Sequence, residues 1–212
     1  MKASCQSVTS GLLKVAGNFL DKYQDLRKEA AKAFAEVIIP GDPGYEKKLD
    51  QLIDKAIDLQ TDLFKSYGVI AGEGDGKVGP RHAIVPTKKL TGSVKVTERT
   101  FIVAPTIFDN VTVKIKKTDG KAGADIACCA KYTTGEIYDE KRRSFDKGND
   151  STGNTKEFKF TGMVDKMITI HIVHTGGLLD KFDYDLTLEG EFDKSNLEKE
   201  NKEKKGGVTV GR

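Results

Sequence analysis

The chain is 212 residues long, 37% hydrophobic and 32% charged, with a formal net charge of +3. That length supports one or two domains with a proper core, and no apolar run approaches the roughly 18 residues a membrane-spanning helix needs. Charge is balanced along the chain, with 9 Lys/Arg against 10 Asp/Glu over 11–67 and 19 of each over 68–193, so no folded part has the basic face of a strong nucleic-acid binder.

Met1 to Cys5 holds one basic residue and no apolar segment, so it does not read as a signal peptide. A cytoplasmic setting is the expectation. Residues 1–9 are polar, and Ser10 or Thr9 suits the N-cap of a first helix.

From Gly11 to Tyr67 the apolar residues recur at helical spacing. Leu12, Ala16, Phe19, Tyr23, Leu26, Ala30, Ala33 and Val37 fall on one stripe, and Tyr45, Leu49, Leu52, Ala56, Leu59 and Leu63 on another. Pro40-Gly41-Asp42-Pro43-Gly44 breaks the pattern where no helix continues. The spacing predicts an antiparallel helical hairpin over 1–67. A second apolar row runs through Leu13, Leu20 and Phe34, interrupted by Arg27, and through Ile53, Ile57 and Phe64. Two helices cannot cover both rows. Each such side chain gains roughly 1.5–3 kcal/mol on burial, so a partner is expected. It could be the rest of the chain, a second copy forming a four-helix bundle, or another protein. A membrane surface fits poorly, because surface-lying helices carry excess Lys/Arg and this segment is slightly acidic.

Residues 68–89 are rich in Gly and Pro and read as a linker. Gly74-Asp75-Gly76-Lys77-Val78-Gly79 spells GxGxxG. A dinucleotide site needs a strand before it and a helix after it, whereas here a helix precedes and Pro80 follows.

Over 90–193 the period changes to two. Val111, Val113 and Ile115 alternate with Thr112, Lys114 and Lys116, and Phe182, Tyr184, Leu186 and Leu188 with Asp183, Asp185, Thr187 and Glu189. Turn residues such as Asp119-Gly120, Thr134-Gly135 and Gly176-Gly177 separate about eight short strands. This predicts an antiparallel β-sandwich, jelly-roll-like, and an α+β fold for the whole. The Lys/Glu-rich tail, 194–212, is expected to be disordered.

Three cysteines, Cys5, Cys128 and Cys129, with no CxxC spacing argue against a disulfide framework and against a zinc site. Adjacent cysteines in a strand point to opposite faces. The same parity separates His171 from His174, which excludes joint chelation. The stretch 146–157 matches a calcium-loop template at Asp146, Asp150, Asn154 and Glu157, but has Gly148 and Ser151 at two demanding positions. Lys114, Lys116 and Lys117, with Lys141, Arg142 and Arg143, form the basic patches, and Asp180, Asp183 and Asp185 read as a wet sheet face. No GxSxG, HExxH or Cys–His arrangement is present.

The sequence therefore points to a non-enzymatic interaction or structural protein without a cofactor. The hairpin would assemble, with itself or with a protein partner, and the sandwich would recognise. A carbohydrate- or calcium-dependent binding sandwich is the alternative, motivated by Tyr132, Tyr138 and Phe145 near predicted loops. A membrane-active protein with a mobile hairpin is a third reading.

Overall fold

A computed structural model describes residues 2–5, 10–36, 43–67, 81–83, 89–95, 98–103 and 105–206. Among the described residues two helices, α1 (Ser10–Glu36) and α2 (Pro43–Tyr67), precede nine strands. These are β1 (Arg81–Ala83), β2 (Lys89–Val94), β3 (Glu98–Val103), β4 (Asn110–Asp119), β5 (Gly123–Lys131), β6 (Ile137–Phe145), β7 (Thr155–Phe160), β8 (Met167–Thr175) and β9 (Phe182–Glu191). A third helix, α3 (Lys194–Gly206), follows. The fold is mixed α+β around a β-sandwich-like core.

One sheet has the order β1-β3-β8-β5-β6 and the other β2-β9-β4-β7. Named neighbours pair antiparallel except β1 and β3, which run parallel. The period-two pattern is obeyed. Val111, Val113, Ile115, Phe182, Tyr184, Leu186 and Leu188 turn inward from one sheet, and Ile126, Cys128, Ile168, Ile170 and Ile172 from the other. Aromatic rings fill the space between, with Phe182 stacked on Tyr184 at 5.8 Å and tilted against Phe145 at 5.2 Å. Phe145 is thus a core residue rather than a loop aromatic.

The helices share this core. Ala16, Tyr23, Leu26 and Ala30 of α1, and Leu52, Ala56 and Leu63 of α2, are buried in one contiguous cluster with the sandwich residues. These belong to the first apolar row in each helix. The interruption at Arg27 turns out to be the tether. Its guanidinium passes among Ile107, Asp109 and α3. Phe108, beside Asp109, lies over Gly190 of β9, where a Cβ would come within 2.4 Å of its ring. Only glycine allows that approach.

Four expectations are corrected. The tail is not all disordered, because its first part is α3. Its Lys/Glu-rich residues have good helix propensity, Asp193 caps its start by accepting from Ser195 N at 2.9 Å and from Ser195 Oγ, and Leu197 is its buried anchor. The predicted linker contains a strand, β1, added to the edge of the first sheet through its pairing with β3. The strands are not all short: β6 runs from Ile137 to Phe145, and its charged, mostly exposed residues hide it from an apolar period.

The cysteines do pair. Cys5 and Cys129 form a disulfide with Cα atoms 5.8 Å apart, and Cys128 is free and buried. Spacing could not show this, because the two are 124 residues apart. Cys128 faces the main core and Cys129 the outer side of β5, with Ala127 and Val173. Residues 2–5 lie over that side as a strap. Arg142 Nη1 donates to Ala3 O at 2.8 Å, and Ser4 N donates to His171 Nδ1 at 3.1 Å. His171 Nε2 lies 2.7 Å from Glu98 Oε2.

Candidate functional site

The end of the sandwich that faces the helices carries the most distinctive chemistry. Its floor is the loop from β7 to β8, residues 161–166. Met163 N donates to Asp109 O, Asp165 N to Thr106 O and Lys166 N to Met163 O, at 2.8, 2.9 and 3.0 Å. These bonds lock Asp165 in the left-handed region at φ 61, the single non-glycine residue with positive φ among the described residues. Such a conformation persists only where surroundings over-determine it, and it clusters at functional sites.

Asp165 lines a cleft of about 280 Å³ between that loop, α1 and α3. Gln24 Nε2 donates to its Oδ2 at 3.3 Å. Its Oδ1 is buried and has no hydrogen-bond partner among the described residues. Burial pushes the carboxyl above its ordinary value, opposed by Gln24 and by the charges of Lys166 and Arg27. Arg27, which also lines the cleft, cannot serve Oδ1. Its Nε donates to Glu200 Oε1, Nη1 to Ile107 O and Asp109 Oδ2, and Nη2 to Asp109 Oδ1 and Glu200 Oε1. All five guanidinium N–H groups are engaged. Lys28 is paired with Asp25 at 2.7 Å.

Lys166 turns to a second feature on the same loop. Its ammonium donates to Gly162 O at 2.6 Å and sits 4.5 Å from the Tyr138 ring centroid and 5.4 Å from that of Tyr132. Partial burial lowers its affinity for a proton, against the attraction of Asp165. The two tyrosines meet edge to face at 5.5 Å. They remain 41% and 40% exposed, and Ile137 beside them 51%. Gly162, at φ 63, leaves room for the Tyr138 hydroxyl, which lies 2.8 Å from where a Cβ would stand. The two tyrosines are legible in the sequence as aromatics near predicted loops, whereas Asp165 and Lys166 are not, since neither strain nor an orphaned oxygen has a sequence signature.

The other candidates lie elsewhere. Asp146, Asp150, Asn154 and Glu157 are all exposed, and Glu157 lies 3.4 Å from Lys159. Among the described residues no three His, Cys, Asp or Glu side chains are grouped to hold a metal. Instead a protein cation enters that loop. Lys117 has the inward parity of Val113 and Ile115, and its buried ammonium donates to Gly148 O at 2.6 Å and Ser151 Oγ at 2.8 Å. It therefore leaves the predicted basic patch. Lys114 is paired with Glu189 at 2.8 Å and Lys141 with Asp139 at 2.7 Å, which neutralises much of the rest. His174 reaches Asp180 O at 3.2 Å, away from His171. Of the second helical row, Leu20 and Ile53 are half-buried, Ile53 against the core. The side chains of Leu13, Phe34, Ile57 and Phe64 lie outside the described residues. Among those residues no helix is long and apolar enough to cross a membrane.

No protein family and no curated protein matches the chain. It is similar to the pre-peptidase C-terminal domain of a collagenase from Bacillus anthracis, at 9% identity over 51% of this chain and 94% of that one, with a TM-score of 0.34. It is similar also to a structure of infectious bursal disease virus, Gx strain, at 9% identity over 49% of this chain and 28% of that one, with a TM-score of 0.30.

Proposed function

We propose that this chain is a non-enzymatic recognition protein, and that it engages a protein partner through the tyrosine platform at the helix-facing end of its sandwich. The observation that carries this reading is the exposed Tyr132–Tyr138 pair, edge to face, with the Lys166 ammonium over both rings. Tyrosines are enriched at interface hot spots because they offer large contact area at low entropic cost. Here Ile137 extends the apolar area, and Lys166 lies over both rings in the free protein. In this reading α1 and α2 form a helical hairpin that braces one end of a jelly-roll-like sandwich. Assembly through α1 and α2 belongs to the same proposal in reduced form, since the first apolar row already lies in the chain's own core.

The disulfide between Cys5 and Cys129 supports an oxidising compartment over the cytoplasmic one expected from the N-terminal residues. A carbohydrate ligand is the second reading, favoured by the same exposed rings. One experiment separates them. Wild type and Tyr132→Ala/Tyr138→Ala are run side by side on arrays of extracellular proteins and of glycans. Protein hits lost in the variant support the proposal, and glycan hits lost in the variant favour the second reading. Hits that survive in the variant place recognition elsewhere and sink both. Light scattering at several concentrations tests assembly, and a strict monomer removes that part.

A further inference from the structure

We propose that the turn between β8 and β9 is a membrane-docking tip, whose Leu178 and Leu179 enter the surface of a lipid bilayer. Among the described residues the large exposed apolar side chains fall in two places. One is the tyrosine platform with Ile137. The other is this leucine pair, 79% and 99% exposed. It lies at the opposite end of the sandwich, since the 161–166 loop enters β8 and this turn leaves it. Single apolar residues scattered over a surface are ordinary, whereas two adjacent leucines leading a turn are not. Asp180 N donates to Gly177 O at 3.1 Å, which sets Leu178 and Leu179 at the two central positions of a β-turn. Gly177 N donates back to Asp180 Oδ2 at 3.1 Å, and His174 Nε2 lies 3.2 Å from Asp180 O. Gly176 passes so near Ala122 that an added Cβ would stand 3.0 Å from the alanine methyl. These contacts close the turn with both leucines on its outer side.

Shape and charge at the tip select the occupant. The pair is narrow and convex, so it offers no flat area of the size a protein interface buries, and leucine is under-represented among protein hot spots. A bilayer needs no matching pocket and takes leucine favourably into its apolar interior. No charge leads the tip. Asp180 turns its carboxylate back onto Gly177 N, and the Lys181 ammonium is paired with Asp183 and, at 3.3 Å, with Asp119. Ala122 N donates to Lys181 O and Gly148 N to Lys121 O, at 3.1 and 2.8 Å, so the neighbouring loops stand beside the turn. They bring exposed Lys121 and Lys147 together with exposed Asp146 and Asp150. This rim is balanced, and insertion of the leucines has to carry the binding. Two leucines offer less apolar area than one myristoyl chain, which alone gives marginal, reversible attachment. Docking is therefore weak, indifferent to lipid charge and favoured by strongly curved surfaces. It leaves α1 and α2, whose charge does not suit a membrane surface, out of the contact.

The test is flotation of the full chain with small unilamellar phosphatidylcholine vesicles at about millimolar lipid, beside Leu178→Ser/Leu179→Ser. Both side chains are exposed, so the variant is expected to melt with the wild type. The wild type is expected to float, and the variant to bind roughly tenfold more weakly or worse. In phosphatidylcholine bicelles carrying a doxyl-labelled lipid, NMR line broadening is expected at the amides of 176–181. Adding phosphatidylglycerol is expected to leave wild-type binding nearly unchanged. Equal flotation of wild type and variant, broadening centred on 132–138, or binding that requires phosphatidylglycerol overturns the proposal. A wild type that floats with no vesicle overturns it as well, and leaves the tip to an apolar pocket on a protein partner. The tip stands independently of the tyrosine platform, so Tyr132→Ala/Tyr138→Ala is expected to float as the wild type does.

Discussion

Arg27 and Asp109 meet fork to fork at 2.7 and 2.8 Å, both side chains only 4% exposed. The same carboxylate accepts from Asp193 N at 2.7 Å and Asn196 Nδ2 at 3.0 Å. One aspartate thus ties α1, the strand-connecting loop and the start of α3. The Arg27 guanidinium also lies 5.6 Å from the Phe192 ring centroid.

Removing one partner leaves the other charged, buried and unpaired. Arg27→Met is therefore expected to cost roughly 3–5 kcal/mol in urea unfolding. Arg27→Met/Asp109→Asn is expected to cost less than the sum of its single variants, because the neutral amide removes the stranded charge. Additive costs in that cycle would show that the two groups act separately.

This relationship also marks the limit of what could be read from the chain. Arg27 is visible in the sequence as a defect in an apolar row, and Asp109 as a turn residue beside Asn110. Their pairing across 82 positions is not visible. Local signals worked where the physics is local. The helical spacing of Tyr23, Leu26 and Ala30 and the alternation from Phe182 to Leu188 both read out as burial. They failed where tertiary contact decides. Leu197 is the buried apolar residue of α3, and one apolar residue in a Lys/Glu run makes no period. The disulfide failed for the same reason, since Cys5 reaches Cys129 only after β5 and the strap are in place. The tyrosine platform was half legible, as two aromatics beside a turn, while Lys166 between them was not.

Asp165 should make stability depend on pH in an unusual sense. Its folded carboxyl value is raised, mainly by burial. Folding then favours the protonated form, and that stabilisation is complete below the unfolded value near 4. It is lost as pH rises through the folded value. Asp165→Asn has no such charge, so it is expected to be the more stable protein at neutral pH, with the difference closing as pH falls below about 4. Paired thermal melts from pH 3 to 8 check this. A wild type that stays the more stable at pH 7 contradicts it.

The strap should depend on its covalent bond. Closing a loop across 124 positions restricts the unfolded chain, and loss of such a bridge typically costs roughly 2–5 kcal/mol. Cys5→Ser is expected to melt lower than the oxidised wild type, and reductant to bring the wild type down to the variant. Because Cys128 faces the core, away from Cys5, it is expected to stay unreactive to thiol reagents in the folded reduced protein. Its labelling at the rate of Cys5 would show that the sheet opens with the strap.

Lys117 settles what the loop after β6 needs. Its ammonium is buried and donates to Gly148 O and Ser151 Oγ, while Ser151 Oγ itself donates to Asp146 O at 3.0 Å. The main chain adds two bonds, Lys117 N to Asn154 O and Gly153 N to Lys117 O, at 3.1 and 2.7 Å. Lys117→Met keeps the backbone pairs and the length of the side chain but leaves the Gly148 carbonyl without this donor. A loss of roughly 1–3 kcal/mol is expected, with faster amide exchange confined to 146–154. The positive charge inside this loop is already supplied by the chain, so millimolar calcium is expected to leave the wild-type melting temperature unchanged. A calcium-dependent rise would restore Asp146, Asp150, Asn154 and Glu157 as ligands.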